Sequence, residues 1–112
     1  MNREYSDFLH GMLENAQRAI RFISGMDYEA FSKDDKTIYA VIRAVEIIGE
    51  VAANIPEKVR SEYPDIPWRE VKGMRNKLVH NYFGINVEVV WQTIHEDLPV
   101  LIEALKSMAS RE

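Results

Sequence analysis

The sequence predicts an all-α protein, a four- to five-helix, mostly antiparallel bundle forming a single domain over residues 1–112. Three observations carry that reading. Apolar residues return at three- and four-residue steps through long stretches, the period of a helix with one buried face. No stretch alternates with the two-residue period of a strand. Residues that cap or stop helices (Gly25, Asp34, Pro56, Pro67, Gly84, Asn86) fall between those stretches. A chain of 112 residues has ordinary single-domain size.

The first helix places Tyr5, Phe8, Leu9, Met12, Ala16, Ala19, Ile20 and Ile23 on one face and stops at Gly25. A short turn follows Asp27 through Phe31. Asp34 or Asp35 caps a second long helix with Ile38, Val41, Ile42, Val45, Ile48, Ala52 and Ile55 on its inner face. Ala40, Ala44, Ile47 and Val51 add a second apolar stripe, so more than half the circumference is apolar. Such a helix is either central in the bundle or covered by a second subunit, and a dimer is the preferred reading. Tyr39, Arg43, Glu46 and Glu50 form its polar ridge. Pro56 opens a short turn, Tyr63 to Pro67 interrupts the chain, and Pro67 suits the start of a third helix. That helix runs through Trp68, Val71, Met74, Leu78 and Val79 toward Gly84. Asn86 caps the last helix, which Pro99 should kink or restart with Asp97 as a new cap.

Composition narrows the function. There are no cysteines, which excludes a disulfide scaffold and thiol chemistry and fits a reducing compartment. Met1 leads directly into polar residues and no run of 18 apolar residues exists, so neither a signal peptide nor a membrane span is expected, and the cytoplasm is. The net charge is −4. It is unevenly spread: residues 56–82 hold six basic and four acidic side chains, +2, leaving −6 for the rest. A phosphate-binding surface would be local, and a solvated helix face would give the same count.

The stretch Met74 to Tyr82 concentrates the chemistry. Arg75 offers a permanent charge and a planar fork of donors suited to phosphate. His80 titrates near neutrality and moves protons. Asn76 and His80, four apart, would share a helix face, and Arg75 and Tyr82 another. Arg75 and His80 diverge by roughly 140° on a regular helix. Either the helix unwinds near His80, or two copies meet across a symmetry axis. A structural salt-bridge donor and a satisfied polar residue are the plainer reading of such a pair.

The pattern Arg75-Asn76-x-x-x-His80-x-Tyr82 resembles the motif of the HEPN superfamily, with the trailing tyrosine of its HepT-like toxin branch. Glu46 to Ala52, Tyr63 to Trp68, Gly73 to Asn76 and Trp91 to Pro99 resemble that branch in the same order, over nearly the whole chain. The resemblance implies a dimerising HEPN-like bundle with a metal-independent ribonuclease site in the dimer cleft. It implies Arg75 and His80 as catalytic residues. It also implies a type VII-like toxin–antitoxin pair, in which a minimal nucleotidyltransferase antitoxin adenylates Tyr82. RNA cleavage by its own 2′-hydroxyl needs a proton acceptor and charge stabilisation on the phosphoryl oxygens, roles that His80 and Arg75 fit. Asn76 would position the substrate, with Lys72 and Lys77 in support. No cofactor is expected. The rival reading is a non-catalytic module that binds the nucleotidyltransferase or a nucleotide.

Other candidates are weaker. Glu46 and Glu50 could act as paired carboxylates or metal ligands, but a solvated ridge with Arg43 is the preferred reading. His10 and His95 read as surface or interface residues. Trp68 and Trp91 read as bundle anchors. Gly49 and Gly73 suggest close helix approach.

Overall fold

The computed structural model describes residues 3–80 and 84–110, without the side chains of Arg3, Glu4 and His80. The helical bundle predicted above is what the chain forms. Helices α1 (Arg3–Phe22), α3 (Asp35–Ala53), α5 (Trp68–Leu78) and the α6–α7 pair (Val87–Gln92, Leu98–Ser110) make the bundle. The single turns α2 (Tyr28–Ser32) and α4 (Glu57–Arg60) bridge them. A two-residue antiparallel ladder, β1 (Val79–His80) with β2 (Gly84–Ile85), was not expected. Among the described residues no helix is long and apolar enough to cross a membrane.

The caps follow the local chemistry. Asp27 and Asp34 accept hydrogen bonds from the Ala30 and Thr37 amides at 2.9 and 3.0 Å, satisfying donors the helix itself leaves open. Asp34, not Asp35, therefore starts α3. Asn86 does the same for α6, accepting from the Val89 amide at 3.3 Å. Gly25 turns the chain with φ +80°, a backbone region that glycine enters without strain.

Packing explains the second apolar stripe in part. Helix α3 is the centre of the bundle, set against α1 on one side and α5 on the other. Ala44 is buried within the chain, whereas Ala40, Ile47 and Val51 are only half-buried. Leu9, Met12, Ala16 and Ala19 of α1 meet Val41, Val45, Ile48 and Ala52 of α3 in one core. Phe8 is not part of that face. It stands 38% exposed, edge-on to Tyr5 with ring centres 5.5 Å apart.

Pro99 disturbs the last helix as expected, but not by restarting it at Asp97. Thr93–Asp97 widens into a π-helical turn, where the Leu98 amide donates to the Thr93 carbonyl. A proline ring in a regular helix collides with the carbonyl four residues back, and a wide turn relieves that collision. Asp97 is not a cap. Its carboxylate pairs with Lys77, tying the C-terminal turn of α5 to the π turn.

Candidate functional site

Helix α5 carries the site, and its start is fixed by an aromatic anchor. Trp68 Nε1 donates to the carbonyls of both Arg60 and Tyr63 at 3.1 Å, locking the irregular stretch after α4 onto the first turn of α5. Val71, Met74 and Leu78 then point into the core. At 100° per residue Trp68 and Arg75 flank that core face on one side, with Lys72, Asn76 and Arg69 progressively further round.

Lys72, Arg75 and Asn76 line a groove of about 420 Å³ whose other wall is Glu46, Gly49, Glu50 and Ala53 of α3. The walls are close: a Cβ on Gly49 would meet the Val71 carbonyl oxygen at 3.7 Å. The helices do come close at Gly49, though a Cβ there would make only ordinary van der Waals contact. Close approach does not account for Gly73, where a Cβ would meet nothing within 4 Å.

Arg75 is held in this groove. Its Nε donates to Glu46 Oε2 at 3.4 Å, and among the described residues its two terminal nitrogens have no partner. Glu46 Oε1 faces Arg43 Nη1 at 3.7 Å, and Arg43 also pairs with Glu50 at 3.3 Å. The polar ridge of α3 is thus not merely solvated. Glu46 reaches across to the arginine of the motif, a role its sequence neighbours do not reveal, because the pair is 29 residues apart. The one available signal was a carboxylate placed on the narrow polar strip of an otherwise apolar helix.

His80 does not share a helix with Asn76. Helix α5 ends at Leu78, and Val79 is extended at φ −128°, ψ 126°. Val79 pairs with Ile85 and His80 with Gly84, while the Asn86 amide caps the Leu78 carbonyl at 2.9 Å. Gly84 closes the ladder with φ +86°. Of the two ways to reconcile Arg75 with His80, unwinding is the one the backbone shows. The His80 side chain, Asn81 and Tyr82 lie outside the described residues.

The structure brings together Lys72, Arg75 and Asn76. Lys77 is set apart, on the side of α5 that faces Asp97 and α7. His95 is exposed, its ring packed on Trp91 with centres 4.3 Å apart. His10 is exposed on α1, away from this groove. Among the described residues the groove therefore presents a guanidinium with unpartnered ends, an amide and an ammonium. Those groups are the donor types that suit a phosphoryl group, and the His80 backbone lies just past the helix end.

A model of the family described as Ribonuclease HepT-like matches residues 12–108. The chain is 46% identical over 101 residues to a protein of Thermococcus cleftensis named probable ribonuclease HepT, covering 90% of this chain and 92% of that one. It is 36% identical over 105 residues to a candidate RNase of Caldanaerobacter subterraneus subsp. tengcongensis, covering 94% of each. It is 41% identical over 101 residues to a candidate RNase of Methanocaldococcus jannaschii, covering 90% of this chain and 84% of that one. No solved structure matches at a significant level. The chain belongs to the HepT-like ribonuclease family.

Proposed function

We propose that the protein is a metal-independent endoribonuclease toxin that works as a homodimer or higher oligomer. In this reading a minimal nucleotidyltransferase antitoxin neutralises it by adenylating Tyr82. The observation that carries the catalytic part is the end of α5 at Leu78. It puts Arg75 on the last helical turn, with its terminal nitrogens unpartnered among the described residues, and His80 on extended chain just beyond.

In this mechanism His80 takes the proton of a ribose 2′-hydroxyl. The 2′-oxygen bonds to the adjacent phosphorus, and the bond to the 5′-oxygen breaks. The departing oxygen takes up a proton, leaving a 2′,3′-cyclic phosphate and a 5′-hydroxyl. Arg75 stabilises the charge that builds on the phosphoryl oxygens, and Asn76 and Lys72 hold the strand. An adenylate on Tyr82 would set a bulky anion where the RNA phosphate belongs.

The test compares wild type, His80→Ala and Arg75→Ala on unstructured RNA in EDTA, with each protein freed of partner and adenylate. Each substitution should slow cleavage by about 10²–10⁴-fold, and Arg75→Lys should recover only part of the loss. Equal rates in wild type and His80→Ala would refute the assignment. No cleavage by any of them would favour the non-catalytic binding module. Intact-mass analysis after incubation with the partner and ATP should show one adenylate per chain on wild type and none on Tyr82→Phe. Light scattering should show a dimer or larger, disrupted by Ile47→Asp.

A further inference from the structure

The groove that holds Arg75 is nearly neutral by its own side chains. Lys72 and Arg75 face Glu46 and Glu50 across it. A polyanion gains little from such a site at long range, because its two cations are offset by two carboxylates. Lys72 alone adds little to that balance, so most of the charge that would hold an RNA strand must lie beyond this groove.

It lies one turn further up the same helix. A second groove of about 470 Å³ opens between α4 and α5, lined by Glu57, Arg60, Ser61, Pro64, Trp68, Arg69 and Lys72. Three cations face one carboxylate there. Lys72 lines both grooves, so they adjoin. Arg60 is half-buried, and its Nε is buried without a hydrogen-bond partner among the described residues. Trp68 forms a fixed wall, since its indole N–H is committed to two carbonyls. Cations beside an aromatic ring are the combination that holds single-stranded nucleic acid through backbone and base together.

We propose that the α4–α5 groove is a subsite for single-stranded RNA, with Arg60, Arg69 and Lys72 taking backbone phosphates that flank the bond at Arg75. The assignment rests on the ribonuclease reading given above. From Arg69 to Arg75 the helix rises about 9 Å at 1.5 Å per residue and the side chains step round it by roughly 120°, so a strand crossing both grooves runs along and partly around α5 through Lys72. The Arg75 groove then performs the chemistry, and the neighbouring groove supplies affinity.

Two variants test this, Arg69→Gln, at an exposed side chain, and Arg60→Gln/Arg69→Gln. Binding of a labelled, unstructured RNA oligonucleotide is followed by fluorescence anisotropy across a salt series. Cleavage of that oligonucleotide and of a dinucleotide is measured in parallel. Affinity for the oligonucleotide should fall about tenfold per arginine. The slope of log K against log salt should flatten by about 0.7 per lost contact. KM for the oligonucleotide should rise with kcat unchanged, and dinucleotide cleavage should match wild type. Unchanged affinity and salt slope in Arg69→Gln, with a native melting temperature, would overturn the proposal. So would an equal loss on the dinucleotide. A wild type that binds RNA but cuts none sinks the ribonuclease reading, while the binding curves still decide the groove.

Discussion

Removing Glu46 should damage the chemistry far more than the fold. The carboxylate sits 3.4 Å from Arg75 Nε, with side-chain exposures of 30% and 43%. At that distance the attraction is about 1.2 kcal/mol with water-like screening and about 5 kcal/mol at an effective dielectric constant of 20. Both side chains reach solvent, and exposed pairs measure roughly 0–1 kcal/mol, so Glu46→Ala should cost less than about 1 kcal/mol of stability. Its effect on Arg75 is larger in kind. Among the described residues Glu46 is the partner that orients the guanidinium, through Nε and not through its terminal nitrogens. A reacting group displaced by about 1 Å loses up to about 10²-fold in rate, so kcat should fall by about ten- to a hundredfold in Glu46→Ala. Glu46→Gln keeps an acceptor oxygen at the same place and drops the charge. Its kcat should stay near wild type, and its KM should fall about three- to eightfold, since Arg75 no longer has a competing anion. Steady-state cleavage of a short RNA, with thermal melts of each variant, separates these effects. Glu46→Ala with wild-type kcat and an unchanged melt would refute the positioning argument.

Three further outcomes follow from the packing. Gly73→Ala should add about 0.5–1 kcal/mol in a urea melt, because the helix gains propensity and the new methyl meets nothing within 4 Å; a loss of stability would mean that α5 is packed there by a second chain. Lys77→Ala should leave kcat/KM for RNA nearly unchanged, while Lys72→Ala should raise KM, since Lys77 is committed to Asp97 and Lys72 lines both grooves; equal effects would return Lys77 to the substrate path. Hydrogen bonds from the Thr37 amide and then its side chain hold the Asp34 carboxyl below the usual carboxylate range. Its contribution is therefore complete above about pH 3.9 and fades as pH falls through the depressed value. The stability gap between wild type and Asp34→Ala should narrow in acid melts, and a gap that widens would contradict that sign.

The features legible in the sequence are those decided within one or two helical turns. Asp27, Asp34 and Asn86 announce their helices because a short side-chain oxygen three residues before an open amide is a local arrangement. The core stripe of α1 from Leu9 to Ile23 is likewise local. The end of α5 is not. Val71, Met74 and Leu78 set a helical rhythm, and neither Val79 nor His80 is a helix stop. What ends the helix is the return of Gly84 to Asn86, which gives Val79 a ladder partner and the Leu78 carbonyl a donor. Pro99 was legible only in part, for a related reason. A proline predicts a disturbed helix, but whether the helix breaks or swells depends on what the altered turn meets, here Lys77 of α5 against Asp97.

The site divides along the same line. Arg75 and His80 were readable as a motif, and Lys72 as part of a basic stretch, because their chemistry is written in residue type and spacing. Glu46 was not, because on α3 alone it has a sufficient partner in Arg43. Only the approach of α3 and α5 at Gly49 turns a surface ridge into a wall of the groove. That approach also changes what the motif arginine is. An isolated Arg75 would be a free cation attracting any anion, whereas beside Glu46 it is an oriented donor in a neutral groove. Its preference should shift from ground-state binding toward charge that appears only as the phosphoryl group reacts, which is where stabilisation accelerates a reaction.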